Sequence, residues 1–148
     1  GDAAMVAAIL SADLSEMRFR DKVAHAVQLR LDAVNDKEAV RRGSALFALP
    51  HMALIGSKLI WGTADAIWTA LGDMSNDINW YTKRVTLSAV YGSVVLYWLG
   101  DETDDGQATS NFIARRIENV MQFDNFKAVV NKNPLIRPIT GWLLYTFE

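Results

Sequence analysis

Apolar residues recur along this chain at intervals of three and four, with charged residues between them, and that spacing predicts helices almost from end to end. A first helix is expected over Ala3–Ser11, ending in the polar break Ser11–Ser15. A second spans Met17–Val34, with Phe19, Val23, Ala26, Val27, Leu29, Leu31 and Val34 inward and Arg18, Asp21, Lys22, Arg30 and Asp32 outward. Asn35-Asp36 ends it and caps a third over Lys37–Ala48, which turns Val40, Leu46 and Phe47 inward and Arg41 and Arg42 outward. Pro50 closes that helix and suits the first turn of another. No stretch alternates with period two for long enough to predict a strand.

Two helices stand apart. In Met52–Leu71 the only charges are Lys58 and Asp65, which with Gly62 and Thr69 form one narrow polar stripe. After the turn Gly72–Asp77, the helix from Trp80 opens polar at Thr82, Lys83 and Arg84, then runs apolar all round from Val85 to Leu99. Helices apolar over most of their circumference are expected to be buried on several sides. The pair carries Trp61, Trp68, Tyr91, Tyr97 and Trp98, so three readings stay open: a dense core, an enclosed apolar ligand, or a face against a partner subunit.

The acidic loop Gly100–Gly106 leads to a helix over Gln107–Phe126, with Phe112, Ile113, Ile117, Val120 and Met121 inward and Arg115, Arg116 and Glu118 outward. A helical body over 1–124 is therefore expected, followed by a distinct segment over 125–148. That segment has no acid before its last residue and carries Lys127, Lys132 and Arg137. Its residues Ile139, Trp142, Leu143 and Phe147 share one helical face, as in a helix lying in a membrane interface or docked on its own core.

Composition narrows the function classes. The chain of 148 residues is 51% apolar, enough to bury a core and argue against disorder. It has no Cys, which removes disulfides, thiolate catalysis and Cys-ligated zinc. Fifteen bases against seventeen acids, net −2, argue against a nucleic-acid binder. Val85–Gly100 is short of the roughly 20 apolar residues a membrane span needs and contains Thr86, Ser88 and Ser93. The start, Gly1–Met5, has no basic region typical of a secretory signal, and its pattern begins without a helix cap, as in a piece of something longer.

The sequence contains no familiar catalytic or metal-binding pattern. His25 and His51 stand in no Glu-x-x-His arrangement, and only five Glu are present, so a di-iron bundle is not expected. Asp101–Gly106 begins like a calcium loop, but Phe112 falls where the loop needs a bidentate Glu, and a solvated acidic turn before a helix is the better reading. Neither a nucleophile elbow nor a phosphate loop occurs. No catalytic residue, metal or cofactor is expected. A helical enzyme with an acid/base pair such as Asp65 and Asp77 stands as a rival.

The block Ala48-Leu49-Pro50, Leu59 to Trp68 and Gly72 to Arg84, with Tyr97-Trp98-Leu99 and Arg115 to Met121 after it, resembles the Coq-nine family of ubiquinone biosynthesis accessory proteins. Ile78 and Gly62 depart from the family pattern. The resemblance implies an all-α bundle like the ligand-binding domain of TetR-type regulators, here without the N-terminal helix-turn-helix, and a homodimer. It implies a non-enzymatic lipid-binding protein that takes isoprenoid quinone precursors, or phospholipid, from a membrane surface and presents them to the demethoxyubiquinone hydroxylase. It would then be cytoplasmic and peripheral on the inner membrane, or on the matrix side in a mitochondrion. On this reading Trp61, Ala64, Ile67, Trp68, Leu71, Leu87, Tyr91, Val94, Val95 and Trp98 line a lipid pocket. Asp73, Asp77, Trp80, Tyr81, Lys83 and Arg84 form the hydroxylase patch, and Lys132, Arg137, Ile139, Trp142, Leu143 and Phe147 meet the membrane. The ligand-sensing domain of a TetR-type regulator is the alternative, and a basic recognition helix upstream would mark it.

Overall fold

A computed structural model describes residues 1–76 and 78–132, the last ten of these as helical backbone alone. The order is α1 (Asp2–Ser11), α2 (Phe19–Asp32), α3 (Lys37–Phe47), α4 (Ala53–Ala70), α5 (Ile78–Leu99), a short 3-10 turn (Asp104–Gly106) and α6 (Gln107–Lys132). Helix is the only regular structure among the described residues, so the architecture is all-α. The chain divides into two compact units, Gly1–Ile117 and Glu118–Glu148, and the packing below is that of the first.

Local chemistry sets the boundaries. Asp36 caps α3 by accepting the Ala39 amide at 2.9 Å. Gly72, at φ 82°, ends α4 in the left-handed conformation that a side chain disfavours. Around it the Asp73 amide donates to the Trp68 carbonyl and the Gly72 amide to that of Thr69, both at 3.0 Å, the paired bonds of a Schellman motif.

α4 packs on α1, α2, α3 and α5. The core joins Met5 and Ile9 of α1, Val23, Ala26, Val27 and Leu31 of α2, and Ala64, Ile67 and Trp68 of α4. Leu87, Val90, Tyr91 and Val94 of α5 and Ile113 and Ile117 of α6 complete it. α3 approaches α4 so closely that a Cβ at Gly56 would lie 2.8 Å from that of Phe47.

Several sequence expectations are corrected. α5 begins at Ile78, and α6 continues past Phe126 to Lys132. Phe19 and Leu46, read as inward, are exposed, and α3 buries no residue fully. α4 and α5 are not enclosed on several sides. Leu54 is 67%, Leu59 56%, Val85 56% and Leu96 69% exposed, because each helix buries one face and leaves its other apolar face open. The acidic loop is not merely solvated. Asp101 accepts from the amide and hydroxyl of both Thr103 and Thr109, tying the loop to the first turn of α6. Those bonds, Thr103 first, hold its carboxyl well below the usual carboxylate range.

Candidate functional site

The candidate site is the α4–α5 hairpin, whose inner seam, turn and outer face carry three different kinds of surface. The seam holds most of the residues expected to line a lipid pocket. Ala64, Ile67, Trp68, Leu87, Tyr91 and Val94 are buried there in direct helix-to-helix packing. Trp61, Leu71, Val95 and Trp98 are half-buried and reach its margins. Burial pushes the Tyr91 phenol pKa up, although the nearby Arg30 charge and a hydrogen bond with Thr63 work against it.

At the turn, the expected hydroxylase patch separates into an internal and an external part. The Asp73 carboxylate, with 3% of its side chain exposed, accepts from Lys83 Nζ at 2.7 Å, Arg84 Nη1 at 2.9 Å and Ser75 Oγ. Arg84, equally buried, also donates through Nε to Asp65 at 2.6 Å and lies 4.0 Å over the Trp80 ring. Lys83 and Ser75 hold the Asp73 carboxyl well below the usual range against its own burial, with Arg84 adding to the effect. Burial works against the Arg84 charge, but Asp65 and Asp73 outweigh it and its pKa is raised. Trp68 donates from Nε1 to the Lys83 carbonyl at 3.1 Å, and Phe19 stacks on the Trp68 ring.

Asp73, Lys83 and Arg84 are thus bound up in one network that fixes the turn. Asp65, offered above as half of an acid/base pair, serves as the ion-pair partner of Arg84, and Asp77 lies outside the described residues. The turn exposes Tyr81, at 59%, together with Ile78, Met74, Asn76 and Asn79, while Trp80 is half-buried against Trp61 and Tyr81.

The outer face of α5 continues this surface. Ile78, Tyr81, Val85, Ala89 and Leu96 fall at spacings of three, four or seven, lie on one side of the helix, and are all exposed. Thr82 and the half-buried Ser93 stand on its flank, the half-buried Gly92 lies between Ala89 and Leu96, and no charge interrupts it. Tyr97, at the margin, stacks on Phe112 of α6 at 4.2 Å.

The sequence reading of the hairpin keeps a partner-facing surface among its three alternatives but does not say which residues of α5 form it. It also missed the pairing of Arg84 with carboxylates 11 and 19 positions away. The membrane-contact expectations at Arg137, Ile139, Trp142, Leu143 and Phe147 lie outside the described residues, as does the Lys132 side chain. Among the described residues no helix is long and apolar enough to cross a membrane, and no group of three His, Asp or Glu could hold a metal ion.

The hairpin is also where the chain matches known proteins. A family model described as COQ9 matches residues 54–124, from the first turn of α4 into α6. A Dictyostelium discoideum protein named "Probable ubiquinone biosynthesis protein coq9, mitochondrial" is 33% identical over 117 residues, covering 77% of this chain and 38% of that protein. The Homo sapiens "Ubiquinone biosynthesis protein COQ9, mitochondrial" is 32% identical over 80 residues, 54% of this chain and 25% of its own length. The corresponding Schizosaccharomyces pombe protein is 33% identical over 64 residues, 43% and 26%. The chain therefore spans about a quarter to two-fifths of the curated relatives it matches. The match takes in both helices of the hairpin, its Schellman turn and the ion network that fixes it, and on that ground the chain belongs to the COQ9 family.

Proposed function

We propose that this chain is part of a non-catalytic, lipid-binding accessory protein of ubiquinone biosynthesis, one that takes isoprenoid quinone intermediates from a membrane surface and presents them to the demethoxyubiquinone hydroxylase. The observation that carries this reading is the uncharged, exposed apolar face of α5 from Ile78 to Leu96, in a family whose relatives are named for ubiquinone biosynthesis. Monomeric soluble domains rarely leave so long an apolar stripe in water, and such stripes mark contact with lipid or with another protein. A prenyl chain needs only shape and burial, worth roughly 25 cal/mol per Å² of apolar surface, and no convergent polar groups. The half-buried Trp61, Leu71, Val95 and Trp98 at the margins of the seam supply the entrance, and parting of α4 from α5 would admit the chain to the seam itself. The face around Tyr81 suits the hydroxylase, since exposed aromatics beside a rigid turn are common anchors of protein interfaces. A second copy of the chain and the membrane complete the set of partners.

The test is a reconstituted hydroxylation with demethoxyubiquinone in liposomes. The hydroxylase turns over faster when the chain is added, the chain alone gives no product, and Tyr81→Ala with Val85→Ser removes the stimulation while far-UV dichroism stays unchanged. Product from the chain alone would overturn the non-catalytic reading. Undiminished stimulation by the double variant would overturn the assignment of the α5 face.

A further inference from the structure

The other end of α4 carries a second exposed apolar surface, built differently from the face of α5. Where α3 meets α4, Leu46 is 48%, Leu49 44%, Leu54 67%, Ile55 47% and Leu59 56% exposed. Arg42 and Lys58 are exposed among them, and no acidic residue occurs between Glu38 and Asp65. On α4, Lys58 stands four residues after Leu54, so its apolar stem can lie along the leucine while the ammonium extends beyond it.

We infer that this α3–α4 elbow is a membrane-docking element, its leucines entering the interface of an anionic bilayer while Arg42 and Lys58 meet the headgroups. Three observations support this occupant. Exposed aliphatic side chains flanked by bases, with the acid nearest Arg42 on α3, Glu38, paired to Arg41, match an anionic lipid surface in both apolarity and charge. Protein interfaces, by contrast, favour aromatic residues and exclude Lys from their cores. The elbow exposes no aromatic residue, while the exposed Tyr81 and Tyr97 lie on α5. Part of the elbow's backbone is also satisfied within the chain, which lowers the cost of entering the membrane interface. The amides of Met52 and Ala53 donate to the Leu49 carbonyl at 2.9 and 3.0 Å, and the Leu49 amide to that of Leu46 at 3.1 Å. Close packing of Phe47 on Gly56 holds the two helices in this arrangement. The inference concerns neither the C-terminal segment nor the quinone ligand and does not rest on the carrier reading.

The chain contains no Cys, so Leu54→Cys offers a single attachment point for an environment-sensitive dye, with Ala114→Cys on the exposed side of α6 as the reference. The full chain is mixed with vesicles of phosphatidylcholine containing phosphatidylglycerol, or of phosphatidylcholine alone. The dye at position 54 shifts to the blue and is quenched by doxyl-labelled lipid on the anionic vesicles, while the dye at 114 does not respond. Arg42→Gln with Lys58→Gln lowers vesicle partition about tenfold or more, since each base near an anionic surface contributes roughly 1 kcal/mol. The inference is overturned if vesicles leave the dye at 54 in water, whether or not the chain binds them, or if both compositions act alike. It is equally overturned if that dye is sheltered without vesicles, by the chain itself or by a second copy at raised concentration, or responds only to added hydroxylase. A chain that purifies with bound quinone yet keeps position 54 in water refutes the elbow and leaves the carrier reading intact.

Discussion

The two ends of α4 invert the usual distribution of polar and apolar groups in opposite senses. At the Gly72 turn, charge is buried, with Asp73 and Arg84 each keeping only 3% of the side chain exposed. At the α3–α4 elbow, leucines are exposed and bases stand among them. A buried ion pair is a poor source of net stability, because desolvation opposes the attraction, but removing one partner is severely destabilising. An exposed leucine contributes little to the fold and can be changed with little loss. The contrast therefore separates a rigid end, which sets the geometry of α4 on α5, from an end whose apolar surface serves contact with something outside the fold.

Substitutions grade this contrast. The largest effect is expected at Asp73. Asp73→Ala strips Arg84 and Lys83 of their shared carboxylate and lowers unfolding stability by about 3 kcal/mol in a denaturant titration. A loss under about 0.5 kcal/mol would show that the turn is not the rigid end. Acid comes next. Asp73 and Asp101 both have folded pKa values below the ordinary 3.8, so the folded state binds fewer protons than the unfolded chain as pH approaches that value. Their contribution is complete above the ordinary value and lost as pH falls towards the lower folded one. Tm should accordingly fall steeply below about pH 4, and Asp73→Ala should flatten that slope.

Thr109→Val removes a buried hydroxyl donor to Asp101 at the start of α6 and costs about 1 kcal/mol, read by the same titration. The smallest effect is expected at the elbow, where Leu54→Ser shifts stability by less than about 0.5 kcal/mol. A loss of 2 kcal/mol there would mean that another part of the chain covers the leucine, and the contrast between the two ends would fail.

The order of helices was legible because amphipathic spacing and strong punctuation agree: Asp36 caps α3 as its position suggests, and Gly72 ends α4 in the conformation only Gly adopts freely. Helix ends were less so, since nothing local between Phe126 and Lys132 stops α6. The candidate site was half legible. The aromatic hairpin stands out, yet periodicity cannot tell a face buried in a core from one left open for a partner, and only the fold shows Val85 and Leu96 exposed. Arg84 was misjudged for the opposite reason. A charge in the polar first turns of a helix reads as solvated, and only the fold brings Asp65 and Asp73 to it. Asp101 was likewise read as a solvent-facing acid because its donors on Thr103 and Thr109 are gathered by the loop itself.

The central claim, that this chain holds lipid, is tested most directly by native mass spectrometry of the chain purified from a ubiquinone-producing host. The account predicts a protein carrying a non-covalent adduct that releases, on activation, a mass belonging to an isoprenoid quinone intermediate or a phospholipid. A chain that carries no lipid, and acquires none when incubated with demethoxyubiquinone-containing anionic liposomes, would contradict it.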